Sequence, residues 1–163
     1  MTFAEARIPN GDVGETDKKP KAVKMPLVFG GFDAGDEIAR RLIKTVRPDL
    51  VEAKIQFICR NLAKKKSKRP VPGSVYKVNP MYRYLTGFDF VVEVALEVWN
   101  EYNPGQREAL IDHLLMRIES IDNDETGEIK FGLRAPEIQE FSEIIGRHQA
   151  WNSDLEELER QMK

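Results

Sequence analysis

From Asp36 onward, Ile38, Leu42, Ile43 and Val46 recur at the spacing of one helical face, which predicts a first helix. Pro48 interrupts it. Leu50, Ala53, Phe57, Ile58 and Leu62 then keep the helical period, so a second helix is expected over about 50–67, ending in a run of cations that suits a helix C-terminus. Pro70, Pro72 and Gly73 break that helix, and residues 74–78 read as a short strand. Residues 80–85 predict one or two helical turns closed by Gly87. In 88–98, Phe88, Phe90, Val92, Val94 and Leu96 alternate with Asp89, Glu93 and Glu97, the pattern of a half-buried strand with its acids toward water. Pro104 opens a helix through Ala109, Leu110, His113, Leu114 and Arg117 to Ile121. An acidic loop at 122–128, a strand at 129–133 and a helix from Pro136 with Ile138, Phe141, Ile144 and Ile145 follow. Trp151 closes the compact part, and 153–163 reads as a helical tail with a thin apolar stripe.

This order of elements predicts an α+β domain with a small mixed sheet packed against about four helices. Residues 1–25, poor in large apolar side chains, read as a leader, 26–151 as the domain, and 152–163 as an acidic helical tail. Within the domain, 26–32 is expected to dock and turn at its glycines.

Composition narrows the function less than the pattern narrows the fold. A formal net charge of −2 gives no global field that points to nucleic acid or a membrane surface. The first ten residues lack the basic start and apolar centre of a signal peptide, and no apolar run spans a bilayer, so a cytoplasmic protein is expected. Cys59 has no second cysteine to pair with and lies in an apolar stretch, which suits a buried structural thiol.

Three segments carry candidate chemistry. Arg60, Lys64, Lys65, Lys66, Lys68 and Arg69 form a cationic patch that suits phosphate or an acidic partner, and Tyr76, Lys77, Tyr82 and Tyr84 lie close by in sequence. The competing reading is a solvated helix end; no groove-reading motif accompanies the patch. The loop Asp122, Asp124, Thr126, Glu128 imitates part of a calcium-binding loop, but Leu133 stands where the completing bidentate Glu belongs. A plain acidic turn and weak Ca²⁺ binding both stay open there. The third segment is the helix that presents Asp112 and His113.

That helix is where the sequence resembles a known family. A strand ending in Trp99, a loop, and a helix with Asp112-His113 are similar to the putative phage metallopeptidases. Pro48-Asp49-Leu50, the segment 71–78, Leu85-Thr86-Gly87, the strand from Phe88, and then Phe131-Gly132-Leu133-Arg134, Glu140-Phe141, Arg147-His148 and Trp151 fall in the family's order, over about 35–151. The resemblance implies a zincin-like fold and a His-Glu-x-x-His helix. Two His four apart on one face grip a Zn²⁺, and the Glu takes a proton from its water. This sequence reads His113-Leu114-Leu115-Met116-Arg117 in that register. The base position is Leu114, the second ligand position is the permanent cation Arg117, and the family's further ligand position falls near Pro136, with Glu137 retained.

The expectation is therefore a degenerate member with no metal or cofactor. It acts by binding a protein partner, for example by inhibiting a host factor, along the substrate-facing edge, which is placed on strand 88–98. Alongside it stand nucleic-acid association through 60–69 and a residual zinc hydrolase using His113, Glu137 and His148. His113 also reads as an ordinary satisfied histidine, with Arg117 paired to Asp112 or Glu137. The tail, with Leu155, Leu158 and Met162, is expected to pack on the domain or on another polypeptide. The oligomeric state is left open.

Overall fold

The computed structural model describes residues 23–136, 138–139 and 141–163. Most of the expected leader, and Glu137 and Glu140, lie outside the described residues.

The core is a four-stranded mixed sheet covered by helices. Its strands are β1 (Phe29–Gly31), β2 (Ile55–Arg60), β5 (Gly73–Lys77) and β6 (Phe90–Ala95), in the order β1-β2-β6-β5. β1 and β5 pair antiparallel with their neighbours, while β2 and β6 run parallel. The docking expected of 26–32 takes the form of β1, whose register sets Phe29 against Arg60. Cys59 is buried on β2, and its thiol donates to the carbonyls of Gly30 and Gly31 at 3.6 Å.

α1 (Asp33–Thr45) starts three residues before its apolar period, with Asp33 and Asp36 at its positive end. Its Gly35 leaves room for Phe32, which meets Trp99 edge-on at 4.8 Å; a Cβ on Gly35 would sit 2.5 Å from the Phe32 ring. A 3₁₀ turn, Pro48–Leu50, leads to β2.

The second predicted helix does not exist. Residues 55–60 form β2, and the lysine run folds into a hairpin of β3 (Lys64–Lys66) and β4 (Arg69–Val71). The apolar run is short enough to satisfy both periods. Its β-branched and aromatic residues favour the strand, with Phe57 and Cys59 turned inward. Ser67 and Lys68, both at positive φ (49° and 66°), make the tight turn that matches strand twist.

α2 (Pro80–Thr86) is stopped by Gly87 at φ 77°, as its sequence predicts, and is capped at its start by Asn79. β6 is shorter than 88–98: Leu96–Trp99 turn into the helix α3. Its alternation also misleads at one point. Glu93 is only 6% exposed, because β6 is an interior strand and the Arg60 and Lys64 side chains close over it. Phe90, Val92 and Val94 face the helical layer and are fully buried.

α4 (Pro104–Met116) has Pro at its start and a full capping box between Asn103 and Gln106. It does not continue to Ile121. Arg117 ends it, and Ile118–Asp122 form β7, paired with β8 (Ile129–Leu133). Ile118 is fully buried at the head of that hairpin, and the Arg47 side chain holds the carbonyls on either side of the break. The acidic loop is its turn, with Gly127 at φ 66°. The next helix, α5 (Ser142–His148), starts well after Pro136. Phe141 and Ile145 of the expected apolar stripe remain exposed, so burial gives little reason to extend it. α6 (Ser153–Gln161), capped by Asn152, packs Leu155 inward, and Leu155, Leu158 and Met162 line a shallow groove with Ile145 of α5. Among the described residues no helix is long and apolar enough to cross a membrane.

Candidate functional site

The C-terminal end of α4 gathers the residues that the sequence singles out. His113 and Arg117, four apart, share a helical face. With Met116, Arg134, Ala135 and Pro136 they line a pocket of about 120 Å³. The helix-borne pair and the distant Pro136 position therefore do meet, brought together because the β7–β8 hairpin folds residues 134–136 back over the helix end. Two hydrogen bonds fix that return: Arg134 N donates to Arg117 O at 2.9 Å, and Arg134 Nε donates to Met116 O at 2.8 Å. Glu137, the fourth position singled out by the family motif, lies outside the described residues. His148, on the exposed last turn of α5, does not line this pocket.

Leu114 sits elsewhere on the helix. It is 2% exposed and wedged beneath β5, where a Cβ added to Gly73 would lie 2.8 Å from Leu114 Cδ1 and 3.1 Å from Glu93 O. A glycine on the strand and a leucine on the helix thus fit together as core. Among the described residues β5 has one paired neighbour, so the edge strand on this side is β5; β6, the expected edge, is interior.

Arg117 makes no ion pair with Asp112. Its Nε is buried with no acceptor, and Asp112 Oδ1 is likewise buried with no donor. Among the described residues the pocket's donor set does not fit a zinc ion. His113 is the one metal-binding side chain among the described lining residues, Arg117 is a fixed cation, and Pro136 offers no side-chain donor. Among the described residues no three His, Cys, Asp or Glu side chains converge on a point that a metal would fill, and this includes Asp122, Asp124, Thr126 and Glu128 on their exposed turn.

The helix end is braced by a residue without a sequence signal. Arg47, 14% exposed, forks onto Asp49 at 2.8 and 2.9 Å and donates to Leu115 O (3.0 Å) and Ile118 O (2.7 Å). It satisfies carbonyls that α4 leaves open at its end. The hydrogen bond from Arg47 holds the Asp49 carboxyl below its usual value, against the opposing pull of burial; Ser120 also donates to it. In the sequence only the Pro48-Asp49-Leu50 match points to this corner; Arg47 carries no signal, and Gly73 and Arg134 stand in the family-ordered segments without a role, because their partners are remote in sequence.

The cationic patch divides in two. Arg60 and Lys64 are committed to Glu93, at 3.4 and 2.8 Å, and Lys64 also meets Tyr76. Burial works to lower the Lys64 pKa, but hydrogen bonds to Glu93 and Tyr76 outweigh it and the net direction is up. Lys65, Lys66 and Lys68 project from the hairpin, exposed and without an ion pair among the described residues, while Arg69 helps to hold the Glu143 carboxyl low behind that residue's own backbone and Ser142. Tyr82 and Tyr84 are exposed on α2, apart from the hairpin's own Lys64–Tyr76 contact.

Compared with known proteins, the sequence matches a family model described as putative phage metallopeptidase over residues 33–163. The match takes in the tail, which lies beyond the stretch over which the sequence motifs carry the resemblance. No curated protein and no solved structure matches.

Proposed function

The chain belongs to the putative phage metallopeptidase family, and we propose that within it this protein is a catalytically inactive homologue that works by binding another protein, such as a host factor it inhibits in the cytoplasm. The observation that carries this reading is the state of the three working positions. Leu114 is packed under Gly73 as core, Arg117 stands at the second ligand position, and Pro136 closes the pocket where a third ligand belongs. A fold that has filled its base position with a hydrophobic contact retains its surface, including the unpaired edge of β5. An extended segment of a partner adds to such an edge through backbone hydrogen bonds.

Elemental mass spectrometry on the purified protein tests the first half of the reading; near-zero zinc is expected, and about one zinc per protein molecule, as a working site would hold, overturns it. For the second half, a photo-crosslinker placed at Lys77 on β5 is expected to couple an intact polypeptide from host extract, and recovery of cleaved fragments would count against inactivity.

One observation favours a second reading. Lys65, Lys66 and Lys68 are exposed on a projecting hairpin with no ion pair among the described residues, which suits nucleic-acid phosphates. On that reading Lys65/Lys66/Lys68→Ala reduces the slope of log affinity against log salt by about 2 to 3. A slope that does not move removes the hairpin from consideration.

A further inference from the structure

β1 covers only part of β2. Its register runs from Arg60 to Ile58, and one further bond, from Phe32 N to Phe57 O at 3.2 Å, ends the contact. At Asp33 the chain leaves the sheet as α1. Backbone groups alternate sides along a strand, so the Ile55 N–H and C=O point the same way as the Phe57 carbonyl, to a side where no described strand pairs with them. Beside this uncovered stretch lies a groove of about 640 Å³ between α1, the Pro48–Leu50 turn and the start of β2. We propose that the groove docks an extended polypeptide segment of a protein partner, with apolar side chains at alternate positions and acidic residues at its ends. The inference goes beyond the β5 reading: it concerns the other side of the sheet, and it holds whether or not the α4 pocket takes a metal.

The lining supplies the apolar half of the argument. Leu50 and Phe57 close the floor, and Ile43, Ile55 and Phe88 lie half-buried along it. Val51 also lines the groove and is 75% exposed. An apolar surface beside an unpaired strand edge suits strand addition. Backbone hydrogen bonds hold the segment, and every second side chain enters the groove.

Charge selects the partner. Lys44 and Lys54 line the groove, exposed and without an ion pair among the described residues. Asp36 is the one acid in the described lining, and Arg40 already holds it at 2.6 Å. Two ammonium groups over an apolar floor attract carboxylates and repel a basic segment. Lys54 is set in place before a ligand arrives: its N–H donates to Asp89 Oδ2 at 3.0 Å, and its carbonyl accepts from Asp89 N at 2.7 Å. The protein's own segments match this chemistry less well. Residues 1–22 balance four acids with four bases, and the chain enters β1 beside Asn61, about 20 Å along β2 from Ile55. α6 is acidic, but it is helical and buries Leu155.

The test uses the full-length, isotope-labelled protein, with the Ile55 amide signal followed by NMR. The probe is a seven-residue peptide, blocked at both ends, with valine at its second, fourth and sixth positions, serine between them and glutamate at each end. One control peptide replaces the glutamates by lysine, and another replaces the valines by serine. Saturable shifts and slowed hydrogen exchange at Ile55 are expected with the probe and with neither control. Lys44→Glu together with Lys54→Glu is expected to weaken binding about tenfold. The charge-matched pair Lys65→Glu and Lys66→Glu, on the β3–β4 hairpin, leaves it unchanged. Absence of saturable shifts, unchanged exchange at Ile55, equal binding of the lysine-ended peptide, or equal loss in the hairpin variant overturns the proposal. A photo-crosslinker at Val51 checks the other occupants. It is expected to capture the probe when the probe is added, and attachment to residues 1–22 or to a second copy of the protein in place of the probe overturns the assignment.

Discussion

Single residues at the helix end decide how stable the site is. Arg47 is mostly buried and makes two charged hydrogen bonds to backbone carbonyls besides its fork on Asp49. Arg47→Ala is expected to cost about 2 kcal/mol, within the range for hydrogen bonds to charged groups, read as a lowered urea midpoint. Arg47→Lys recovers little, because an ammonium cannot reach all of these acceptors at once. Asp49 adds a pH signature. Its folded pKa lies below the ordinary Asp value of 3.8, so its contribution is fully present above that value and is lost as pH falls through the folded pKa. Asp49→Asn therefore flattens the acid limb of stability below about pH 4 and leaves its neutral shape unchanged. None of this was legible in the sequence. The face shared by His113 and Arg117 was, since four residues on a helix is a local relation. Arg47 acts on Leu115 and Ile118, and no pattern within its own segment points that far.

Elements were legible where their signals are local, and not where tertiary contacts choose between periods. Pro104 announces the start of α4 and Gly87 the end of α2, and the structure adds the Asn103–Gln106 and Asn79 caps beside them. Residues 50–67 carry a helical period that the sheet overrides, because a short apolar run has no strong preference and β6 supplies a partner. The end of α4 is hidden for a similar reason: Ile118 continues the helical period but is buried as the first residue of β7. The joint between α4 and β5 supports a test at this scale. Gly73→Ala pushes a methyl to 2.8 Å from Leu114 Cδ1 and is expected to destabilise by about 1–3 kcal/mol. Leu114→Ala alone leaves a cavity and costs about 2–5 kcal/mol. In the Leu114→Ala background the cost of Gly73→Ala falls. Equal costs in the two backgrounds, measured by denaturant unfolding, would show that the two residues do not share that space.

At the scale of the whole molecule, the fold sets His113 against residues 134–136, with Arg117 and Pro136 at positions where the family motif implies ligands. A metal site is then recoverable by side chains alone. Arg117→His with Pro136→His gives three histidines around the pocket, and about one zinc per molecule is expected for that variant, as for three-histidine zinc sites. If it gains none, the register that assigns these positions is wrong. The α+β class and the mixed sheet were readable from the order of elements; the place of β6 within the sheet was not, since strand order is fixed by remote pairings.

That place in the sheet also sets a timetable. β2 and β5 have β6 as a common neighbour and do not pair with each other. A growing polypeptide that has emerged only as far as Gly87 holds β1, β2 and β5 without the strand that unites them. β1 and β2 are able to pair by then, but β5 joins them only when residues 90–95 arrive, across the long sequence separation between β2 and β6, a step that slows folding. Until then β2 waits with an apolar face and an open edge, and that interval is when the nascent protein is most exposed to mispairing with its neighbours.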